Sequence, residues 1–247
     1  MEETPDAFVE QLVAVFREVK RVLRDDGTLW LNLGDSYASA TTALGGASDK
    51  QLSNAGSFHN VTQRLTHGLK PKDLVGIPWR VAFALQADGW YLRQDIIWSK
   101  LNPMPESVTD RCTKAHEYIF LLSKAPRYYY DADAIREPLA DKTYTTFGTQ
   151  HRPQGNDALG KVKSDNWGRT VDERQPKRLA NGNIAGANKR SVWTVSTKPF
   201  KGAHFATFPP DLIEPCIKAG CLPQGTILDP FGGAGTTGLV ADHLYRS

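Results

Sequence analysis

The segment Ile227-Leu228-Asp229-Pro230-Phe231-Gly232-Gly233-Ala234-Gly235-Thr236-Thr237 constrains this chain more than any other stretch. A brief apolar strand over Thr226–Leu228 runs into an acidic residue, then a glycine-rich turn, then a helix expected over Gly235–Leu244. Glycine lets the backbone approach a ligand closely, and an open α/β sheet keeps its ligands at the carboxyl ends of its strands. The turn lacks the Lys-Ser/Thr of a phosphate loop. Its glycines at 232, 233 and 235 do not fit G-x-G-x-x-G either. A tight structural turn and a ligand-holding turn are both compatible with this pattern.

The remaining pattern supplies the context. Thr4 is suited to cap a helix and Pro5 to its first position. Val9, Leu12, Val13, Phe16, Val19 and Leu23 then recur at helical spacing, until Asp25-Asp26-Gly27 stops the helix. Thr28–Leu33 reads as a strand, Ile77–Gln86 as an amphipathic helix ending at Asp88-Gly89, and Tyr91–Trp98 and Glu117–Ser123 as strands. Ser191–Val195 reads as a short strand and Pro209–Ala219 as a helix. Strands alternating with helices predict an α/β fold with a mostly parallel sheet. Tyr91–Trp98 and Glu117–Ser123 have no helix between them, which predicts an antiparallel pair at an edge.

Charge is unevenly spread. Of a formal net charge of +3, residues 141–190 carry ten Lys/Arg against five Asp/Glu, a local balance of +5. That stretch is poor in aliphatic residues and has neither helical nor strand period, so it reads as a long basic loop insertion. A solvated linker and a loop that touches phosphates both fit it. The glycine-, alanine-, serine- and threonine-rich stretch from Tyr37 to about Lys70 reads as a second loop.

Composition excludes several classes. A chain of 247 residues, 40% hydrophobic and 23% charged, is ordinary for a globular protein and unlike a disordered or collagenous one. No run of 18 apolar residues suggests a membrane span, and the acidic start Met1-Glu2-Glu3 is unlike a secretory signal. Cys112, Cys216 and Cys221 are too few for a disulfide framework or a four-cysteine zinc site, so no metal is expected. They read as buried small hydrophobes in a reducing, cytoplasmic compartment.

Asp229-Pro-Phe-Gly-Gly-Ala-Gly-Thr-Thr237 resembles the S-adenosylmethionine-binding motif of the DNA amino-methyltransferases, which methylate adenine N6 or cytosine N4. Three further blocks share the resemblance. His204-Phe-Ala-Thr-Phe-Pro209 is similar to the family's second cofactor motif and lies upstream, as in its permuted beta arrangement. Trp98-Ser-Lys-Leu-Asn-Pro-Met-Pro-Glu-Ser107 and Gly27-Thr-Leu-Trp-Leu-Asn-Leu-Gly-Asp-Ser-Tyr37 resemble two other recurrent blocks. The resemblance implies a Rossmann-like methyltransferase sheet and S-adenosylmethionine as cofactor. It implies double-stranded DNA as substrate and suggests a cognate restriction endonuclease in the same system.

The cofactor-site residues follow by the same resemblance. Asp229, Pro230, Phe231, Gly232, Gly233, Gly235, Thr236 and Thr237 would line the methionine end of the cofactor pocket. His204, Phe205, Ala206, Phe208 and Pro209 would bracket it; for His204 a structural hydrogen bond is an equal alternative, and for Phe208-Pro209 a helix-entry turn. Asp35, Lys100 and Asn102 follow strand ends and would serve the catalytic side. A turn cap is the alternative for Asp35, and a surface role for the other two. Arg111, Lys161, Lys163, Lys177 and Arg178 would meet DNA phosphates, with plain solvated charge as the alternative for Arg111. Lys114 stands beside Arg111 under the same two readings. Trp79, Trp90, Trp98 and Tyr128-Tyr129-Tyr130 could stack bases, but packing is the safer expectation.

The division that follows is 1–138 for the catalytic side, 139–192 for target recognition and 193–247 for cofactor binding. In the implied chemistry an exocyclic amino nitrogen attacks the sulfonium methyl in line. The family's catalytic motif is a small or acidic residue, Pro-Pro and an aromatic, placed before the helix that starts at Pro5. The only Pro-Pro here is Pro209-Pro210, between Phe208 and Asp211. The family also continues beyond the last helix into a strand with a ribose-holding acid. The expectation is therefore an interior fragment with an incomplete sheet, which puts the activity of this chain alone in doubt. The alternatives are a truncated, non-catalytic remnant that binds DNA or cofactor, an enzyme in which Asp35-Ser36-Tyr37 replaces the missing motif, and a nucleotide-binding protein. Adenine and cytosine targets are not distinguished.

Overall fold

The computed structural model describes residues 4–38, 68–138, 186–198 and 207–247. They belong to two compact units: Met1–Tyr129 with Ser191–Leu212, and Tyr130–Arg190 with Ile213–Ser247.

The first unit begins with helix α1, Pro5–Val22. Thr4 caps it, its hydroxyl accepting the Ala7 N–H at 2.9 Å, and Pro5 occupies the position where a missing N–H costs nothing. Strand β1 (Thr28–Leu33), helix α2 (Ile77–Ala87), and strands β2 (Tyr91–Ser99) and β3 (His116–Ser123) follow, and β4 (Val192–Thr194) completes the sheet. The strand order is β1-β3-β2-β4.

Two expectations are corrected here. β3 pairs antiparallel with both β1 and β2, and among the described strands only the β2–β4 pairing is parallel. The sheet is thus mixed rather than mostly parallel, with β1, β2 and β4 running one way and β3 reversed between them. β3 is also not an edge strand. Five consecutive residues, Ile119 to Ser123, are buried. A strand buried at successive positions is covered on both faces and belongs inside a sheet.

The register divides the sheet by face. Leu31, Phe120 and Leu122 pack with Val13, Phe16 and Val19 of α1 and Val81, Ala82 and Leu85 of α2. The alternate positions Ile96, Trp98, Ile119, Leu121 and Trp193 are buried on the opposite face. Trp90 and Trp98 are therefore packing residues, at 2% and 3% exposure, and Trp79 sits edge-on against Phe120. Tyr128 lies beside Arg93, whose Nε donates to its hydroxyl at 3.1 Å.

The second unit holds a 3-10 turn at Asp133–Ile135 and helix α4, Thr236–His243. Helix α3, Pro210–Gly220, has its residues from Ile213 onward in this unit. Ile217, Val240 and Ala241 form its core, with Ile213, Ile227 and Leu244 against them. The strand expected at Thr226–Leu228 has no ladder among the described residues. Ile227 N–H donates to the Ser247 carbonyl at 2.6 Å and Ser247 N–H to the Gly225 carbonyl at 3.0 Å. These two hydrogen bonds tie the segment to Ser247.

The cysteine expectation holds only in part. Cys216 is buried, and burial pushes its thiol well above the usual range. Cys221 is half-buried, and Cys112 is exposed because it lies on the loop between β2 and β3.

Candidate functional site

The Asp229–Thr237 turn lies wholly in the second unit. Asp229 organises it: Oδ1 accepts the Phe231 N–H at 2.9 Å and Oδ2 accepts the Thr237 hydroxyl at 2.5 Å. The Gly232 carbonyl accepts the Gly235 N–H at 2.7 Å and closes the turn. Gly233 and Gly235 have φ of +48° and +77°, a region in which a Cβ is strained. These glycines are therefore required by the backbone path itself. Pro230, Phe231, Gly232, Gly233 and Gly235 are exposed, while Asp229, Thr236 and Thr237 are half-buried.

Gly235 is the N-cap of α4, and no side chain caps that helix among the described residues. A methyl group at Gly235 would meet no described atom within 4 Å. A helix start that no side chain caps is a setting that favours a carboxylate. Phe208 and Pro209 lie in the first unit, where the Pro209 carbonyl accepts the Leu212 N–H at the start of α3. His204, Phe205 and Ala206 lie outside the described residues, as do Lys161, Lys163, Lys177 and Arg178.

In the first unit, residues after the carboxyl ends of β1, β2 and β4 form a crown of three linked loops. The turn after β1 pairs with the segment before α2: Ala38 N–H donates to the Asp73 carbonyl, Lys72 N–H to Ala38, and Val75 N–H to Ser36. The side chain of Asp35 is 3% exposed. Its Oδ1 accepts the N–H groups of Ser36, Gly76 and Ile77 at 2.9, 2.9 and 3.1 Å. Asp35 therefore caps α2 from a distant part of the sequence, while Oδ2 stands 4.0 Å from the Lys114 ammonium.

Lys100 follows β2 and is ion-paired with Glu117 on β3, its ammonium 4.6 Å from the centre of the Trp98 ring. Asn102 clips the loop after β4. Its Oδ1 accepts the Thr197 N–H at 2.8 Å and its Nδ2 donates to the Thr197 carbonyl at 3.1 Å. Arg111 is partnered, with its side chain 27% exposed. It pairs with Glu106 at 2.5 Å, and its guanidinium carbon lies 3.9 Å from the centre of the Tyr37 ring. Lys72 joins Asp110 at 2.6 Å, and the hydrogen bond from Lys72 holds that carboxyl below its ordinary range.

The crown thus unites Asp35, Lys100, Asn102, Arg111 and Lys114, while Asp229 to Thr237 form a separate cluster in the other unit. Sequence reasoning missed Glu117, Glu106, Thr197 and Tyr37 as partners. An acidic residue at a strand start carries no signal of its own; only the β2–β3 register, which sets Glu117 against Trp98, shows why it matters. Among the described residues no cluster of three or more metal-ligating side chains occurs, and no helix is long and apolar enough to cross a membrane.

Comparison with known proteins agrees with the resemblance. A family model described as DNA methylase matches residues 1–247. The chain is 44% identical over 245 residues to the type II methyltransferase M.SmaI of Serratia marcescens, covering 99% of this chain and 69% of that protein. It is 47% identical over 246 residues to M.XycI of Xanthomonas campestris pv. cyanopsidis, covering 100% of this chain and 67% of that protein. In structure it is similar to PvuII DNA methyltransferase, a cytosine-N4-specific enzyme, with a TM-score of 0.59 and 16% identity over 98% of this chain and 65% of that one. A Thermus thermophilus protein solved with S-adenosyl-L-methionine gives a TM-score of 0.53 at 17% identity, over 98% of this chain and 69% of that one. The chain spans about two thirds of the length of these relatives. The mixed sheet is that of a Rossmann-like methyltransferase. The chain belongs to the DNA methylase family, whose members take a methyl group from S-adenosylmethionine and place it on an amino group of adenine or cytosine in DNA.

Proposed function

We propose that this chain holds S-adenosylmethionine on the Asp229–Thr237 turn and presents the crown after β1, β2 and β4 to DNA, as part of a type II restriction–modification system with a cognate endonuclease. The observation that carries this reading is the start of α4, which no described side chain caps, behind the turn that Asp229 shapes. Its N–H groups suit the carboxylate of an amino-acid tail, and Thr236 adds a hydroxyl donor. Bound there, the cofactor supplies an electrophilic methyl group on a sulfonium centre. The protein's part is orientation and electrostatics rather than covalent chemistry. Asp229 fixes the turn through Phe231 and Thr237.

The target base must leave the duplex stack, which costs about a few kcal/mol. The basic stretch 139–192 supplies the offsetting phosphate contacts in this reading, through Lys161, Lys163, Lys177 and Arg178. Neutralising those four should flatten the salt dependence of DNA binding; an unchanged slope would remove that assignment. The reading places the protein in the cytoplasm, with the DNA and the endonuclease it protects against. The match over the full chain to type II methyltransferases favours this over a DNA-binding remnant.

Incubation with S-adenosyl-[methyl-³H]methionine and duplex DNA, followed by nucleoside analysis, tests the proposal. Label is expected in N6-methyladenine or N4-methylcytosine. Label in neither, together with no binding of S-adenosylmethionine by the folded protein, sinks it.

A further inference from the structure

The loop between β2 and β3 is tied down at both ends and on its flank. Asn102 grips Thr197 near its start, Lys72 holds Asp110 near its end, and Arg111 joins Glu106 across the loop itself. The Arg111 guanidinium also lies over the Tyr37 ring, its carbon 3.9 Å from the ring centre, and one of its nitrogens donates to the Cys112 carbonyl at 3.2 Å. Tyr37 belongs to the turn after β1, which Asp35 in turn fastens to α2. Leu101, beside the first anchor, and Met104, between the anchors, stand 68% and 85% exposed. An exposed apolar loop collapses onto its neighbours unless something holds it out, and the planar guanidinium can stack and pair at once, which an ammonium cannot.

We propose that Arg111 is a positioning residue rather than a phosphate contact: stacked on Tyr37 and paired with Glu106, it braces the β2–β3 loop in a fixed, DNA-ready shape. A guanidinium engaged on one side by a carboxylate and on the other by a ring has its positive charge already matched, so little is left for a phosphate. The loop's readiness is instead built in before DNA arrives, which lowers the ordering that binding would otherwise have to impose. This rests on the DNA-facing assignment of the crown for its purpose, but not for the brace itself.

The test uses the exposed Cys112 as a reporter. A nitroxide on Cys112, with Cys221→Ser to prevent double labelling, should be immobilised in the otherwise native chain and with Tyr37→Phe, which keeps the ring face. Arg111→Ala, Arg111→Lys and Tyr37→Leu should each sharpen its spectrum, because each removes the fork or the face it lies on. In DNA binding, Arg111→Ala should leave the salt slope unchanged, whereas loss of a phosphate contact lowers it by about one and Arg111→Lys restores it. Equal label mobility in all variants overturns the proposal, and so does a slope lowered by about one. If the native chain binds no DNA, the DNA-facing reading fails, and the label still decides the brace.

Discussion

The carboxylate of Asp35 accepts the backbone N–H of Gly76 at 2.9 Å across 41 residues of sequence, and so fastens the turn after β1 to the first turn of α2. Ile77 N–H reaches the same oxygen at 3.1 Å. Gly76, with φ of +76°, carries no side chain that could do this capping itself.

Asp35→Ala is therefore a stability mutation before it is anything else. It should lower unfolding free energy by about 1–2 kcal/mol, the range of a lost helix cap, read from urea denaturation. Asp35→Asn keeps an acceptor oxygen and should lose less. Full stability in Asp35→Ala, with activity abolished, would instead support a role in the chemistry.

Glu137 gives a pH dependence with a definite sign. Burial pushes its carboxyl up, but the hydrogen bond from Arg190 and the charges of Lys189 and Arg190 outweigh this and hold it below its ordinary range. A carboxylate depressed by folding contributes stability that is fully present above its unfolded pKa and fades as pH falls through the folded one. The stability gap between the native chain and Glu137→Gln should be open at pH 7 and should narrow on acidification below the ordinary glutamate range. A gap that widens toward acid would contradict the pairing.

The thiols should separate cleanly. Cys112 is exposed, whereas Cys216 is buried with its thiol pushed well up, so it stays protonated and inaccessible. A thiol reagent at pH 8 should modify Cys112 rapidly and Cys216 only after denaturation. Mass mapping of the labelled peptides decides this, and rapid native modification of Cys216 would refute its burial.

Local signals carried much of this fold into the sequence. Thr4 and Pro5 fix the start of α1 because capping chemistry depends on neighbours alone. The unbroken apolar run of β3 already implied a strand covered on both faces; reading it as an edge gave too much weight to the absent helix before it and too little to the run. The glycine turn was legible because its positive φ angles demand glycine whatever surrounds them. The crown was not. Asn102 meets Thr197 across 95 positions and Arg111 meets Tyr37 through two separate loops, so both contacts depend on register and loop path. Residue type alone marked Arg111 as a phosphate ligand, and only the ring and carboxylate beside it point elsewhere.

The most direct test of the central claim is calorimetric titration of the chain with S-adenosylmethionine, alongside Asp229→Ala and Thr237→Val. The native chain should bind. Asp229→Ala should bind at least about tenfold more weakly, some 1.4 kcal/mol, and Thr237→Val should fall between them, with the far-ultraviolet spectrum unchanged in all three. No binding by the folded native chain, or equal binding by Asp229→Ala, would contradict the assignment of this turn as the cofactor site.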